Sequence, residues 1–169
     1  MSNADDDGHL WISWDDYHRS IESLARQVVE SEWEFDQILC LARGGLRPGD
    51  IFSRLFKVPL AILSVSSYRE AGGTQRDELV IADRITASTE GMAGRLLIVD
   101  DLVDSGITLR KVKEWLSTQY PEISECRTAV IWYKSSSCVR PDYFVHHLKN
   151  NPWIHQPFEL YDQMTLDNL

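Results

Sequence analysis

Leu96 to Thr108 reads LLIVDDLVDSGIT. Leu96, Leu97, Ile98 and Val99 run without interruption into two adjacent acids, Asp100 and Asp101. A third acid, Asp104, follows, and then Ser105, Gly106 and Thr108 lead into a segment with Leu109, Val112 and Leu116 at helical spacing. The unbroken apolar run predicts a strand over Arg95–Asp101 buried on both faces, followed by a helix that ends near Pro121. Gly106 lets the backbone approach an anion closely, and the first N–H groups of the helix favour negative charge. Ser105 and Thr108 add hydroxyl donors, so the loop suits a phosphate monoester. Asp100 and Asp101 would repel that phosphate; they suit ribose hydroxyls or a hard cation such as Mg2+. A phosphate cradle beside two acids describes a sugar phosphate with a metal.

Working outward, Phe35 to Ala42 (FDQILCLA) is a second buried strand, ending in the turn Arg43-Gly44-Gly45 and followed by a helix over Leu46–Phe56. Val58 to Val65 is a further strand, with Pro59 at its start. Ser66 to Glu78 is polar, contains Gly72 and Gly73, and reads as a mobile loop. Leu79 to Ala82 is a short strand, and Thr86 to Gly94 is turn-rich. Cys126 to Tyr133 (CRTAVIWY) is another buried strand, and Tyr143 to Val145 a last one. Upstream, Ser13 with Asp16 three residues on is an N-cap pattern, and Trp14, Tyr17, Ile21, Leu24 and Val28 lie on one face of the helix it opens. The tail from Asn150 reads as largely irregular. Apolar strands alternating with helices predict an α/β fold, a mostly parallel sheet covered on both faces. Ligands in such sheets bind beyond the carboxyl ends of the strands.

The bulk numbers narrow the function. With 169 residues the chain fits one domain; residues 1–9, with Asp5, Asp6 and Asp7, read as a frayed tail, and 10–169 as a single domain including a C-terminal hood. A hydrophobic fraction of 43% with 25% charged residues is globular. The net charge of -9 argues against a nucleic-acid binder, which needs a basic face. Cys40, Cys126 and Cys138 form neither a disulfide framework nor a metal knuckle, which points to reduced thiols and a cytoplasmic protein. No run approaches a membrane span.

The stretch around Asp100 resembles the phosphoribosyl-pyrophosphate motif of the type I phosphoribosyltransferases: an apolar strand, two acids, three residues, a hydroxyl, glycine, any residue, a hydroxyl. Two more segments resemble that family. LARGGLRPG occupies the position of its pyrophosphate loop, with Arg43 and Gly44 matching, and the resemblance implies a cis peptide there, with Arg43–Gly44 the candidate. Ser66-Ser67-Tyr68 and the stretch ending Gln75-Arg76-Asp77-Glu78-Leu79 look like its flexible lid, which brings Arg76 to the pyrophosphate. From about Trp14 to Phe158 the chain is similar to the bacterial xanthine-guanine members. Lys134 stands directly after the strand TAVIWY, where that group has the lysine that contacts the exocyclic purine oxygen. In NPWIHQPFE, Trp153 and Ile154 match the segment that stacks on the purine and bonds its edge. The chain departs from the group in the link 135–141 (SSSCVRP) and in the tail after Glu159.

The resemblance implies a Mg2+-dependent transfer of phosphoribosyl from phosphoribosyl pyrophosphate to a 6-oxopurine (guanine, xanthine or hypoxanthine), in a homodimer or homotetramer. Arg43, Gly44, Arg76, Asp100, Asp101, Asp104, Ser105, Gly106 and Thr108 would bind phosphoribosyl pyrophosphate, and Asp101 with Asp100 the metal. Asp104 and Arg76 would be catalytic, and Asp104, Lys134, Trp153 and Ile154 would hold the base. An ammonium only donates hydrogen bonds, so Lys134 selects a 6-keto over a 6-amino group. A phosphoribosyltransferase for another base and a non-catalytic sensor of phosphoribosyl pyrophosphate are the alternatives.

Overall fold

The computed structural model describes residues 8–68, 78–89 and 91–168. The first helix, α1 (Trp14–Glu30), begins where Ser13 predicts, with the Asp16 N–H donating to Ser13 Oγ over 3.1 Å. Its apolar stripe, Tyr17, Ile21, Leu24 and Val28, is buried. Strand β2 (Gln37–Ala42) then feeds α2 (Leu46–Phe56), which ends at Lys57 in a left-handed conformation. Next come β3 (Leu60–Tyr68), β4 (Glu78–Ile81) and the two-residue β5 (Thr86–Ala87). Strand β6 (Gly94–Val103) carries the two acids into α3 (Ile107–Gln119); β7 (Ile123–Lys134) and β8 (Tyr143–Leu148) follow.

The main sheet has the order β4-β3-β2-β6-β7-β8, with β5 on β3. Strands β3, β2, β6, β7 and β8 are mutually parallel, while β4 and β5 pair β3 antiparallel. The mostly parallel α/β sheet expected from the apolar runs is therefore present. Both faces are covered, and alternate residues of each strand go to different cores. Ile38, Cys40, Leu97 and Val99 pack with Tyr17, Leu24 and Phe52 of α1 and α2. Leu39, Leu41, Leu96 and Ile98 pack with Leu109, Val112 and Leu116 of α3. Burial on two sides is why these strands read as continuous apolar runs rather than alternating ones.

Several expectations are corrected. Of the frayed tail expected over residues 1–9, residues 1–7 lie outside the described residues, while the Gly8 carbonyl accepts from the Trp153 N–H and His9–Trp11 forms a strand, β1. The irregular tail after Asn150 contains β9 (Trp153–His155), which pairs β1 in parallel, then the short helix α4 (Leu160–Gln163). Three-residue strands show no period in sequence; these two exist because each supplies the other's backbone partners, with Leu10 and Ile154 buried beneath them. The loop expected over Ser66–Glu78 is shorter at both ends. Strand β3 runs on to Tyr68, and β4 starts at Glu78 opposite it. Residues 69–77, the expected lid tip, lie outside the described residues.

Candidate functional site

The parallel strands deliver the loops after β2, β6 and β7 to the same end of the sheet. At the end of β6, Asp100 and Asp101 are half-buried neighbours. The Asp101 N–H donates to Asp100 Oδ1 over 2.9 Å. Desolvation, then the charge of Asp101, hold the Asp100 carboxyl well above the usual carboxylate range. Desolvation also raises Asp101, against the opposing pull of a hydrogen bond from Gln156 Nε2 to Asp101 Oδ2 of 2.6 Å. Among the described residues no salt bridge reaches either acid.

The loop after β2 closes on this pair. A Cβ on Gly44 would overlap the Asp101 carboxylate, and one on Gly45 would overlap the Val99 carbonyl. Only glycines let the loop lie this close, so the Gly-Gly pair serves the acid pair as well as any phosphate. The peptide bond expected to be cis at Arg43–Gly44 is trans; the cis bond is one residue earlier, Ala42–Arg43. Arg43 is exposed, with its guanidinium 3.6 Å from the Asp162 carboxylate of α4. Ala42, Arg43, Gly44, Asp100 and Thr108 line a cavity of about 190 Å3, together with Val65 and Leu79. A larger cavity of about 530 Å3 lies among Trp33, Phe35, Phe56 and Arg95, at the amino ends of β2 and β6. None of the motif residues line it, and ligands of parallel sheets bind at the other end.

Gly106 caps α3 with φ of 78°, a conformation few other residues adopt. A Cβ there would collide with Ser137 Oγ and lie 2.9 Å from the Val139 N. The link after β7 thus presses on the loop, and the Cys138 N–H donates to the Ser105 carbonyl over 2.9 Å. Ser105 is exposed and Thr108 half-buried at the start of α3. Lys134 ends β7 with its side chain only 8% exposed, and its Nζ lies 3.5 Å from Asp104 Oδ1. In the hood, Ile154 is buried and Trp153 is 57% exposed.

The structure therefore brings together Arg43, Gly44, Asp100 and Thr108 around one cavity, sets Asp101 against Gly44 and Asp100, and pairs Asp104 with Lys134 beside the α3 loop. Arg76 lies outside the described residues. Three residues next to the site carried no separate expectation. Gln156 bonds Asp101. The Tyr17 hydroxyl is buried without a hydrogen-bond partner; burial, then the Asp101 charge, push its phenol up. The Arg47 guanidinium lies 4.0 Å from the ring centroid of Phe158, tying α2 to the hood. Gln156 was visible in one way: in an extended segment it shares a face with Ile154.

The donor chemistry suits a hard cation. Two carboxylates that burial leaves uncompensated offer oxygen ligands, and Mg2+ commonly takes one or two carboxylates while substrate oxygens and water fill its shell.

A phosphoribosyl transferase domain model matches residues 13–163. The xanthine-guanine phosphoribosyltransferase of Idiomarina loihiensis is 32% identical over 153 residues, which cover 90% of this chain and 88% of that one. The protein of the same name from Gluconobacter oxydans is 32% identical over 149 residues, 88% of this chain and 83% of its own. Among solved structures, a purine phosphoribosyltransferase from Pyrococcus horikoshii superposes with a TM-score of 0.73 at 30% identity, covering 89% of this chain and 93% of that one. The Helicobacter pylori xanthine-guanine-hypoxanthine enzyme shares the fold, with a TM-score of 0.75 at 22% identity over 92% of this chain and 96% of its own. A matched region that spans β2, β6 and β7 with all three of their carboxyl-end loops places the chain in the phosphoribosyltransferase family.

Proposed function

We propose that the protein transfers phosphoribosyl from phosphoribosyl pyrophosphate to a 6-oxopurine, releasing pyrophosphate. The observation that carries the choice of base is the Lys134–Asp104 pair, held 3.5 Å apart beside the α3 loop. It sets a pure hydrogen-bond donor and a carboxylate side by side, one suited to a purine 6-keto oxygen and the other to a ring N–H. The names of the relatives point to the same class of base.

The amide groups at the start of α3, with Ser105 and Thr108, hold the 5′-phosphate. Arg43, Gly44 and Arg76 hold the pyrophosphate. Asp100 contacts the ribose hydroxyls, and Asp101, with Asp100, holds Mg2+. When bound, Mg2+ neutralises charge on the departing pyrophosphate. Asp104 takes up the proton that the purine loses as its ring nitrogen bonds to the ribose carbon. Lys134 and the Ile154 backbone fix the base edge, and the Trp153 ring covers its face. Most of the rate enhancement comes from alignment and from charge stabilisation around an oxocarbenium-like ribose. The enzyme acts as a homodimer or homotetramer in the cytoplasm, and its free cysteines agree with a reducing compartment. No helix among the described residues is long and apolar enough to cross a membrane.

The test is pyrophosphate release from phosphoribosyl pyrophosphate and Mg2+, with guanine, xanthine, hypoxanthine, adenine, uracil and orotate offered singly. Release with a 6-oxopurine and not with adenine is the expected result. Release only with another base overturns the base pocket. Binding of phosphoribosyl pyrophosphate without release on any base makes the protein a sensor. Omitting Mg2+ abolishes release if the metal assignment holds.

A further inference from the structure

Asp101 is held by two contacts. One is with Gly44, where a Cβ would overlap the carboxylate. The other is with Gln156, just past β9 and 7% exposed, which donates from Nε2 to Asp101 Oδ2 over 2.6 Å. The distance belongs to a strong, charge-assisted hydrogen bond. The choice of an amide also matters. A Lys or Arg there would neutralise the acid and displace a cation, whereas a neutral donor fixes the carboxylate and leaves its charge available.

The surroundings of the amide are unusual for a purely structural contact. Gln156 Oε1 is buried without a partner, and so is the Tyr17 hydroxyl. Both belong to residues that interact with Asp101, one an acceptor and the other a donor. Buried polar groups left unpaired are uncommon in folded proteins and call for a specific explanation. The same segment carries the base platform, since Trp153 and Ile154 immediately precede it on β9.

We propose that Gln156 is a positioning residue for phosphoribosyl transfer: its side-chain amide orients the Asp101 carboxylate toward the magnesium complex of phosphoribosyl pyrophosphate, and so links the base hood to the pyrophosphate end of the site. This rests on the assignment of Asp101 to the metal given above. Ordering of the hood and readiness of the metal site are then one event, because the residue that bonds Asp101 follows directly after the strand that carries Trp153.

The experiment is calorimetric titration of the whole protein with phosphoribosyl pyrophosphate, once with Mg2+ and once with EDTA. It compares the native protein with Gln156→Met, Gln156→Glu and Asp101→Asn, each also melted without ligand. Gln156→Met keeps the side-chain volume and loses the donor. It is expected to weaken binding in Mg2+ roughly ten- to hundredfold, the loss of one hydrogen bond to a charged group, and to leave binding in EDTA within about twofold. Native affinity in Mg2+, or equal loss with and without the metal, overturns the proposal whatever the melting temperature. If Gln156→Met does not fold, Gln156→Glu takes its place: it preserves size and polarity but sets a second carboxyl against Asp101, and native affinity in Mg2+ for that variant overturns the proposal equally. Asp101→Asn separates the two layers. Unchanged affinity there removes the metal assignment and this inference with it; loss there without loss in the Gln156 variants removes this inference alone.

Discussion

Two acid sites sit within five residues of each other and are built in opposite ways. Asp104 is half exposed and has its cation at hand, the Lys134 ammonium at 3.5 Å. Asp100 and Asp101 are adjacent like charges, both raised by desolvation, and among the described residues no salt bridge reaches them. The first pair is complete in the free protein. The second holds two buried like charges side by side, and a cation bound between them would offset their repulsion. Perturbed acids of this kind cluster at functional sites, and in the proposed reading Asp100 and Asp101 serve the metal while Asp104 serves the base.

The sharpest break of the comparison is Asp104→Asn. It removes the proposed proton acceptor and keeps the shape, so kcat should fall by about 10²–10⁴ while calorimetric affinity for phosphoribosyl pyrophosphate in Mg2+ holds. Equal loss of both would move Asp104 to the sugar phosphate. Next is Lys134→Met, which deletes the proposed donor to a 6-keto group. Discrimination between a 6-oxopurine and adenine, read from the two kcat/KM values, should shrink by roughly ten- to hundredfold. Retained discrimination would place selectivity elsewhere in the hood.

Asp100→Asn should do the reverse to stability of what it does to activity. Its Oδ1 can still accept from the Asp101 N–H, but one of two crowded charges is gone. A carboxyl raised in the fold binds more protons folded than unfolded, so stability declines as pH rises from the ordinary value of 3.8 toward the folded value. The ligand-free variant should therefore melt above the native protein at neutral pH, by roughly 2–4 °C for each kcal/mol relieved. The difference should shrink on acidification and reverse in sign of benefit once Mg2+ and phosphoribosyl pyrophosphate are added. An Asp100→Asn protein that melts below the native one at neutral pH would show that the pair is not strained. The smallest effect expected is that of Asp162→Asn. The Arg43–Asp162 bridge is long and exposed, and the melting temperature should move by less than about 2 °C.

How far the chain could be read depended on what satisfies each segment. Helix α2 was legible at both ends, Leu46 and Phe56, because its apolar residues recur at helical spacing and a Gly-Gly turn precedes it. Strand β6 was legible because both faces are buried and its run Leu96–Val99 is unbroken apolar up to Asp100. Strands β1 and β9 were not, since neither stands without the other and their partners lie far apart in the chain. The ends of β3 and β4 were missed for a related reason. Ser66 and its neighbours look like loop, and only pairing with β4 makes them strand. Within the candidate site, the loop after β6 and its acids were singled out from local spacing, because one strand-turn-helix supplies them all. Gln156 and Tyr17 were missed as partners of Asp101 because they come from the hood and from α1.

The amino-acid sequence by itself determined the layered α/β plan, the loops that carry chemistry and the residue types in them. Those properties depend on local period, on glycine and on adjacent charges. Only the tertiary structure decided which charges find a partner. Lys134 reaches Asp104 because β7 lies beside β6 in parallel register. Gln156 reaches Asp101 because β9 is anchored by β1. Electrostatic energy depends on separation in space and on the surrounding medium rather than on distance along the chain, so the division of the three acids into one with a cationic partner and two that no salt bridge reaches among the described residues emerges only when the sheet is assembled.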